Sequence, residues 1–83
     1  MEELMTRLKH EIVAQLSLEQ IKPEEIGNDD PLFGDGLGLD SIDALELIVL
    51  LNEKHGVVIS NPEEGIKIFK SVRTIAEYIQ ANK

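Results

Sequence analysis

Apolar residues recur at helical spacing in several parts of the chain. In residues 2–17 they fall three or four positions apart, with charged and amide side chains between them, which predicts a first helix. Residues 41–55 are rich in aliphatic side chains, and residues 72–79 carry a regular apolar stripe behind Ser71. Asn61, followed by a proline and two acids, is typical of the start of a short helix. The sequence therefore predicts four helices, with the third one short.

The connection between the first two helices is long and contains many turn-forming residues. It runs from residue 18 to residue 39, and its glycines, prolines, Asn and Asp do not support a regular element. We expect one helical turn near Pro23 and no strand at residues 57–59, because three residues are too few to form a stable sheet. Five apolar side chains are expected to anchor this loop to the core: Ile21, Ile26, Leu32, Phe33 and Leu37. The predicted fold class is all-α, a small four-helix bundle with a long first loop, formed by a single domain over residues 1–83.

The charge is strongly negative and unevenly distributed. The chain has 16 acidic and 8 basic residues, for a net charge of −8. Residues 24–64 hold eleven acids and one base, Lys54, so this segment alone carries −10. Such a surface disfavours nucleic acid and anionic membranes and attracts basic partners. With no cysteine, no apolar run long enough to span a bilayer and an acidic N-terminal segment, we expect a cytoplasmic monomer without membrane insertion and without a metal site.

The second predicted helix has more apolar residues than one buried face requires. Asp40 suits the N-cap, Asp43 suits the first turn, and Gly56 suits the position after the last turn. A helical wheel places Ala44, Leu47, Ile48 and Leu51 toward the core. On the opposite side it places Ile42, Leu45 and Val49, next to Glu46 and Glu53. The alternative is a helix buried on all sides, but burying two unpaired glutamates would be costly. We therefore interpret this side as a partner surface, in which acids steer a basic partner and apolar residues hold it.

Ser41 begins this helix, directly after the glycine-rich part of the loop. Its hydroxyl should be accessible, and phosphate oxygens attached to it are expected to meet free N–H groups of the helix. A serine nucleophile needs a base within hydrogen-bond reach, but His55 lies at the far end of the same helix and His10 lies on another. No catalytic residue is therefore expected. Ser41 is either a site that another enzyme modifies or a residue that only helps to start the helix.

The stretch Gly38-Leu39-Asp40-Ser41-Ile42-Asp43-Ala44-Leu45-Glu46-Leu47 resembles the Asp-Ser-Leu signature of acyl carrier proteins, and the likeness extends over the whole chain. The resemblance implies that Ser41 carries 4′-phosphopantetheine, installed from coenzyme A by a phosphopantetheinyl transferase. The thiol of that arm would then hold acyl groups as thioesters, as in fatty acid biosynthesis and other lipid metabolism. The resemblance also implies that the transferase and acyl-processing enzymes dock through basic patches. Their binding residues here would be Asp40, Ile42, Asp43, Leu45, Glu46 and Val49, and the helical wheel adds Glu53 to this surface.

Several positions depart from the usual pattern of the family. The segment Gly34-Asp35-Gly36-Leu37-Gly38 is longer and richer in glycine, and residues 57–70 are extended, with Gly65 and Phe69 inside. Lys54 and His55 replace an acid and an aromatic residue. These departures favour a specialised carrier over a housekeeping one. Two other functions stay open from the sequence, namely an aminoacyl or peptidyl carrier with the same arm, and an acidic helical adaptor whose serine is never modified.

Overall fold

The computed structural model describes residues 2–18, 20–34 and 36–82. It contains four α-helices, α1 (Glu2–Gln15), α2 (Ser41–His55), α3 (Pro62–Ile68) and α4 (Val72–Ala81), and a 3₁₀ turn at Pro23–Glu25. Within these ranges the only β-type pairing is an isolated bridge between Phe33 and Leu39. The predicted all-α class with four helices is confirmed. None of the helices in the described ranges has the length and apolar content that crossing a bilayer requires.

Local side-chain and backbone hydrogen bonds set the helix ends. Asp40, Asn61 and Ser71 each accept backbone N–H groups of the helix that follows, as their positions in the sequence predict. Gly56 ends α2 in the left-handed conformation, with φ of 66°. Helix α1 ends two residues earlier than predicted. The reason is that Ser17 has φ of 54°, and Leu18 N–H reaches back to the carbonyl of Val13 (3.0 Å), which closes the last turn.

The core is aliphatic, and one aromatic side chain, Phe69, is fully buried within it. The four positions of the apolar stripe in α4 are buried, as predicted: Val72, Ile75, Ala76 and Ile79. On α2, Ala44, Leu47 and Leu51 are buried as predicted, whereas Ile48 is half-buried against the core. The sequence analysis missed Leu50, which is 3% exposed. This residue also lines a shallow groove where α1 and α2 meet, so α1 covers a second side of α2.

Helix α3 packs closely against α2 because it carries a glycine at the contact. A Cβ atom at Gly65 would lie 3.2 Å from Cδ1 of Ile48 and 3.1 Å from Cε2 of Phe69, tighter than ordinary packing contacts. The glycine inside this helix thus has a packing role. It lets a seven-residue helix approach its neighbour without a gap.

The long first loop is fixed to the bundle by apolar anchors and backbone hydrogen bonds. Ile26 and Leu32 are buried, and the other three predicted anchors are half-buried against the core. Leu32 N–H donates to the carbonyl of Lys70 (3.1 Å), and Arg73 N–H donates to the carbonyl of Asn28 (2.9 Å). The loop therefore ends at a defined place, beside the first turn of α2.

Candidate functional site

Ser41 is the first residue of α2, and its side chain is exposed. A reciprocal capping box holds the backbone around it. One carboxylate oxygen of Asp40 accepts the N–H groups of Ile42 (3.0 Å) and Asp43 (3.1 Å). The Asp43 carboxylate in turn accepts the N–H of Asp40 (3.0 Å). The serine hydroxyl therefore leaves the helix from a rigid first turn and is open to solvent.

The capping box changes one expectation drawn from the sequence. Phosphate oxygens on Ser41 were expected to meet free N–H groups of the helix, but Asp40 already accepts the N–H groups of Ile42 and Asp43. The carboxylates of Asp40 and Asp43 also belong to the same turn as the serine, and their charges would repel a phosphate. A phosphodiester at this position would therefore gain little from these two N–H groups.

The apolar residues opposite the core lie on the surface of α2. Ile42 is 69% exposed, Leu45 48% and Val49 43%. Glu46 and Glu53 are exposed on the same helix, and Asp40 is exposed at its start, whereas Asp43 is half-buried. Glu46 accepts a hydrogen bond from Nε2 of Gln15 on α1 (2.9 Å). The structure thus brings the predicted apolar and acidic residues onto one face, here called the α2 face, and links one of its acids to α1.

The two histidines lie away from Ser41, as the spacing along the chain indicated. Nε2 of His55 lies 2.7 Å from Oε1 of Glu11, and the His55 side chain is only 6% exposed. His10 Nδ1 donates to the carbonyl of Thr6 within α1 (2.9 Å). The replacement of an aromatic residue by His55 therefore has a structural role, since it joins the end of α2 to α1. Among the described residues, no three His, Asp or Glu side chains form a group that could hold a metal ion.

A further ion pair joins the first loop to α4. Nε of Arg73 donates to Oδ1 of Asp29 (2.6 Å), and the second guanidinium nitrogen Nη2 donates to Oδ2 (3.2 Å). Through this hydrogen bond the guanidinium lowers the pKa of Asp29 below its ordinary value. The same pair raises the pKa of Arg73. Because both side chains are well exposed, this bidentate contact positions the loop more than it stabilises the fold.

A groove that the sequence analysis did not identify lies between the first loop and α3. Its volume is about 330 Å³. The loop residues Pro31 and Phe33, about thirty positions before the start of α3, form one wall, so the sequence gives no local signal for it. We call it the lysine groove, and its lining residues are Pro31, Phe33, Ile66, Lys67, Phe69 and Lys70.

Comparison with known proteins identifies the family of the chain. The family model for the phosphopantetheine attachment site matches residues 7–79. The chain is 36% identical over 78 residues to an acyl carrier protein of Helicobacter hepaticus, with 92% of each chain covered. It is 34% identical over 76 residues to an acyl carrier protein of Wolinella succinogenes, again with 92% of each covered.

The matched family model and the two relatives define a class of proteins that carry a phosphopantetheine group and are not themselves catalysts. The chain belongs to the acyl carrier protein family. The structure suits such a group, because an exposed serine hydroxyl at a capped helix start can form a phosphodiester without disturbing the core. When attached, the group supplies a terminal thiol.

Proposed function

We propose that this chain is an acyl carrier and that Ser41 is the residue to which phosphopantetheine is attached. The observation that supports this most directly is the exposed Ser41 side chain at the capped start of α2, within the matched family region. In the attachment, Ser41 Oγ forms the new bond to phosphorus and gives up its proton. The phosphoanhydride bond of coenzyme A breaks, and its nucleotide half leaves. The transferase catalyses this step, while the chain supplies the hydroxyl and the docking surface.

We propose further that the α2 face is the surface on which the transferase and acyl-processing enzymes dock. Its members are Asp40, Ile42, Asp43, Leu45, Glu46, Val49 and Glu53. The net charge of −10 on residues 24–64 would attract the basic patch of a partner and speed its association. The rate of that association would fall as the ionic strength rises. The exposed aliphatic side chains then supply the apolar contact that holds the complex.

We propose that this carrier is cytoplasmic, consists of one domain and acts as a monomer. Such a carrier would serve either fatty acid biosynthesis or a more specialised pathway. Two of the unusual residues have packing roles, because Gly65 fits against Ile48 and His55 pairs with Glu11. These two departures therefore do not by themselves argue for a specialised cargo. The lysine groove is a better guide to the cargo, since its lysines are exposed.

The test is an intact-mass measurement after incubation with coenzyme A and a transferase of broad specificity. We expect the mass of one phosphopantetheine to be added to the wild-type chain. Ser41→Ala should abolish the addition, while Ser60→Ala, which alters another exposed serine, should keep it. A folded wild-type chain that stays unmodified would instead support the acidic adaptor.

A further inference from the structure

The lysine groove combines an apolar floor with two positive charges in a chain that is otherwise acidic. Half-buried Phe33 and exposed Ile66 supply apolar surface, and Phe69 lies fully buried beneath them. Lys67 and Lys70 line the groove and are exposed, and they are two of only 8 basic residues in the chain. Within the described residues, no carboxylate lies within ion-pair distance of either lysine. The groove therefore matches a ligand that is apolar along its length and negatively charged at one end.

The position of the groove connects it to Ser41. Phe33 forms the bridge with Leu39, which lies two residues before Ser41, so one wall of the groove belongs to the segment that leads into α2. The hydrogen bond from Leu32 N–H to the carbonyl of Lys70 (3.1 Å) holds that segment against the end of α3. A flexible arm on Ser41 would therefore start beside the groove. A ligand on a short flexible tether has an effective concentration on the order of 1 mM, so contacts with a dissociation constant near that value are sufficient to fill the groove about half of the time.

We propose that the lysine groove receives an acyl cargo that ends in a free carboxylate. The inference rests on the proposed function, because the cargo reaches the groove on the arm carried by Ser41. The acyl chain would lie against Phe33 and Ile66, above the buried Phe69, and the terminal carboxylate would face the ammonium groups of Lys67 and Lys70. A purely alkyl cargo would gain the apolar contacts but not the ion pairs. The competing explanation is that the two lysines only cover apolar surface with their aliphatic stems.

The test compares two cargoes of equal length, hexanoyl and adipoyl, loaded onto the protein from their coenzyme A thioesters by the transferase. Intact mass first reports whether each cargo is attached at Ser41. Amide chemical shifts of Phe33, Ile66 and Phe69, measured against the protein with an unacylated arm, then report docking in the groove. At low salt the ratio of docked to free arm should be about two- to fivefold higher for adipoyl, as expected for two exposed ion pairs. High salt should reduce the difference.

Paired variants separate charge from packing. The double variant Lys67→Gln/Lys70→Gln should lower docking of the adipoyl cargo to the level of the hexanoyl cargo. The control Lys22→Gln/Lys54→Gln makes the same change of charge outside the groove and should not lower it. Equal docking of the two cargoes, or a difference that survives in Lys67→Gln/Lys70→Gln, would overturn the inference and leave the carrier function intact. If neither cargo is attached at Ser41, the proposed function itself fails, and the inference fails with it.

Discussion

The two sides of α2 should respond very differently to truncation. Leu47 and Leu51 are each 1% exposed, so replacing either with Ala removes buried methyl groups and leaves a cavity. Each change should lower the free energy of unfolding by about 2–5 kcal/mol. Val49 is 43% exposed, so Val49→Ala loses about half of the transfer energy of two methyl groups, roughly 0.8 kcal/mol. Ala has a higher helix propensity than Val, and this difference offsets about half of the lost transfer energy. The net change at Val49 should therefore stay within about 0.5 kcal/mol.

The assay is urea unfolding followed by helical circular dichroism. Leu47→Ala and Leu51→Ala should lower the midpoint by about 1–3 M, with an unchanged slope, because the surface exposed on unfolding is nearly the same. Val49→Ala should unfold within about 0.5 M of the wild type. Similar losses at all three positions would mean that Val49 is part of the core, and the α2 face would then lose one of its apolar residues. A changed slope would show that the comparison no longer concerns the same two states.

The other predictions concern the acidic face, the first loop and the ion pair. Glu46→Lys should slow modification by the transferase and weaken the salt dependence of that rate. The same change at Glu77, an exposed residue on α4, should leave both unchanged. Gln15→Ala removes only the hydrogen bond to Glu46 and therefore shows whether loss of that bond alone explains the slower rate. In urea unfolding, Gly36→Ala should destabilise the chain more than Gly34→Ala does. A Cβ atom at Gly36 would overlap the carbonyl oxygen of Pro31. A Cβ atom at Gly34 has free space, so the cost there is only the backbone strain at φ of +67°, about 1–2 kcal/mol. Equal losses would show that the loop can move away from Pro31. The lowered pKa of Asp29 stabilises the fold above the ordinary carboxyl pKa of about 3.9, and this contribution is lost as the pH falls through the folded-state value. Urea midpoints measured from pH 6 to pH 3 should therefore fall less steeply for Asp29→Asn than for the wild type, and parallel curves would contradict the assignment.

Features encoded by neighbouring residues could be predicted from the sequence. Asp40, Asn61 and Ser71 cap helices because a short polar side chain reaches N–H groups two or three residues ahead, a geometry that is set locally. The start of α2 at Ser41 follows for the same reason. The end of α1 was placed two residues too late, because Ser17 adopts a left-handed conformation for which serine has no strong preference.

Features that depend on packing between distant segments could not be predicted. Leu50 is buried beside α1, and no wheel drawn for α2 alone shows which neighbour covers which side. The link between Gln15 and Glu46 joins residues 31 positions apart. The lysine groove depends on a hydrogen bond between Leu32 and Lys70, and its two walls meet only in the folded chain. The serine and its surrounding face were accessible to sequence reasoning, whereas a candidate position for the cargo was not.

The reciprocal capping of α2 has a consequence for how such a carrier is handled. Because Asp40 and Asp43 hold the first turn from both sides, backbone hydrogen bonds fix the point at which a tether on Ser41 would leave the protein. An arm attached to Ser41 would thus swing from a fixed pivot, and while its cargo is undocked its reach would be set by its own bonds. An enzyme that binds the α2 face would therefore meet the start of the arm at the same place relative to that face, whichever partner the carrier visited before.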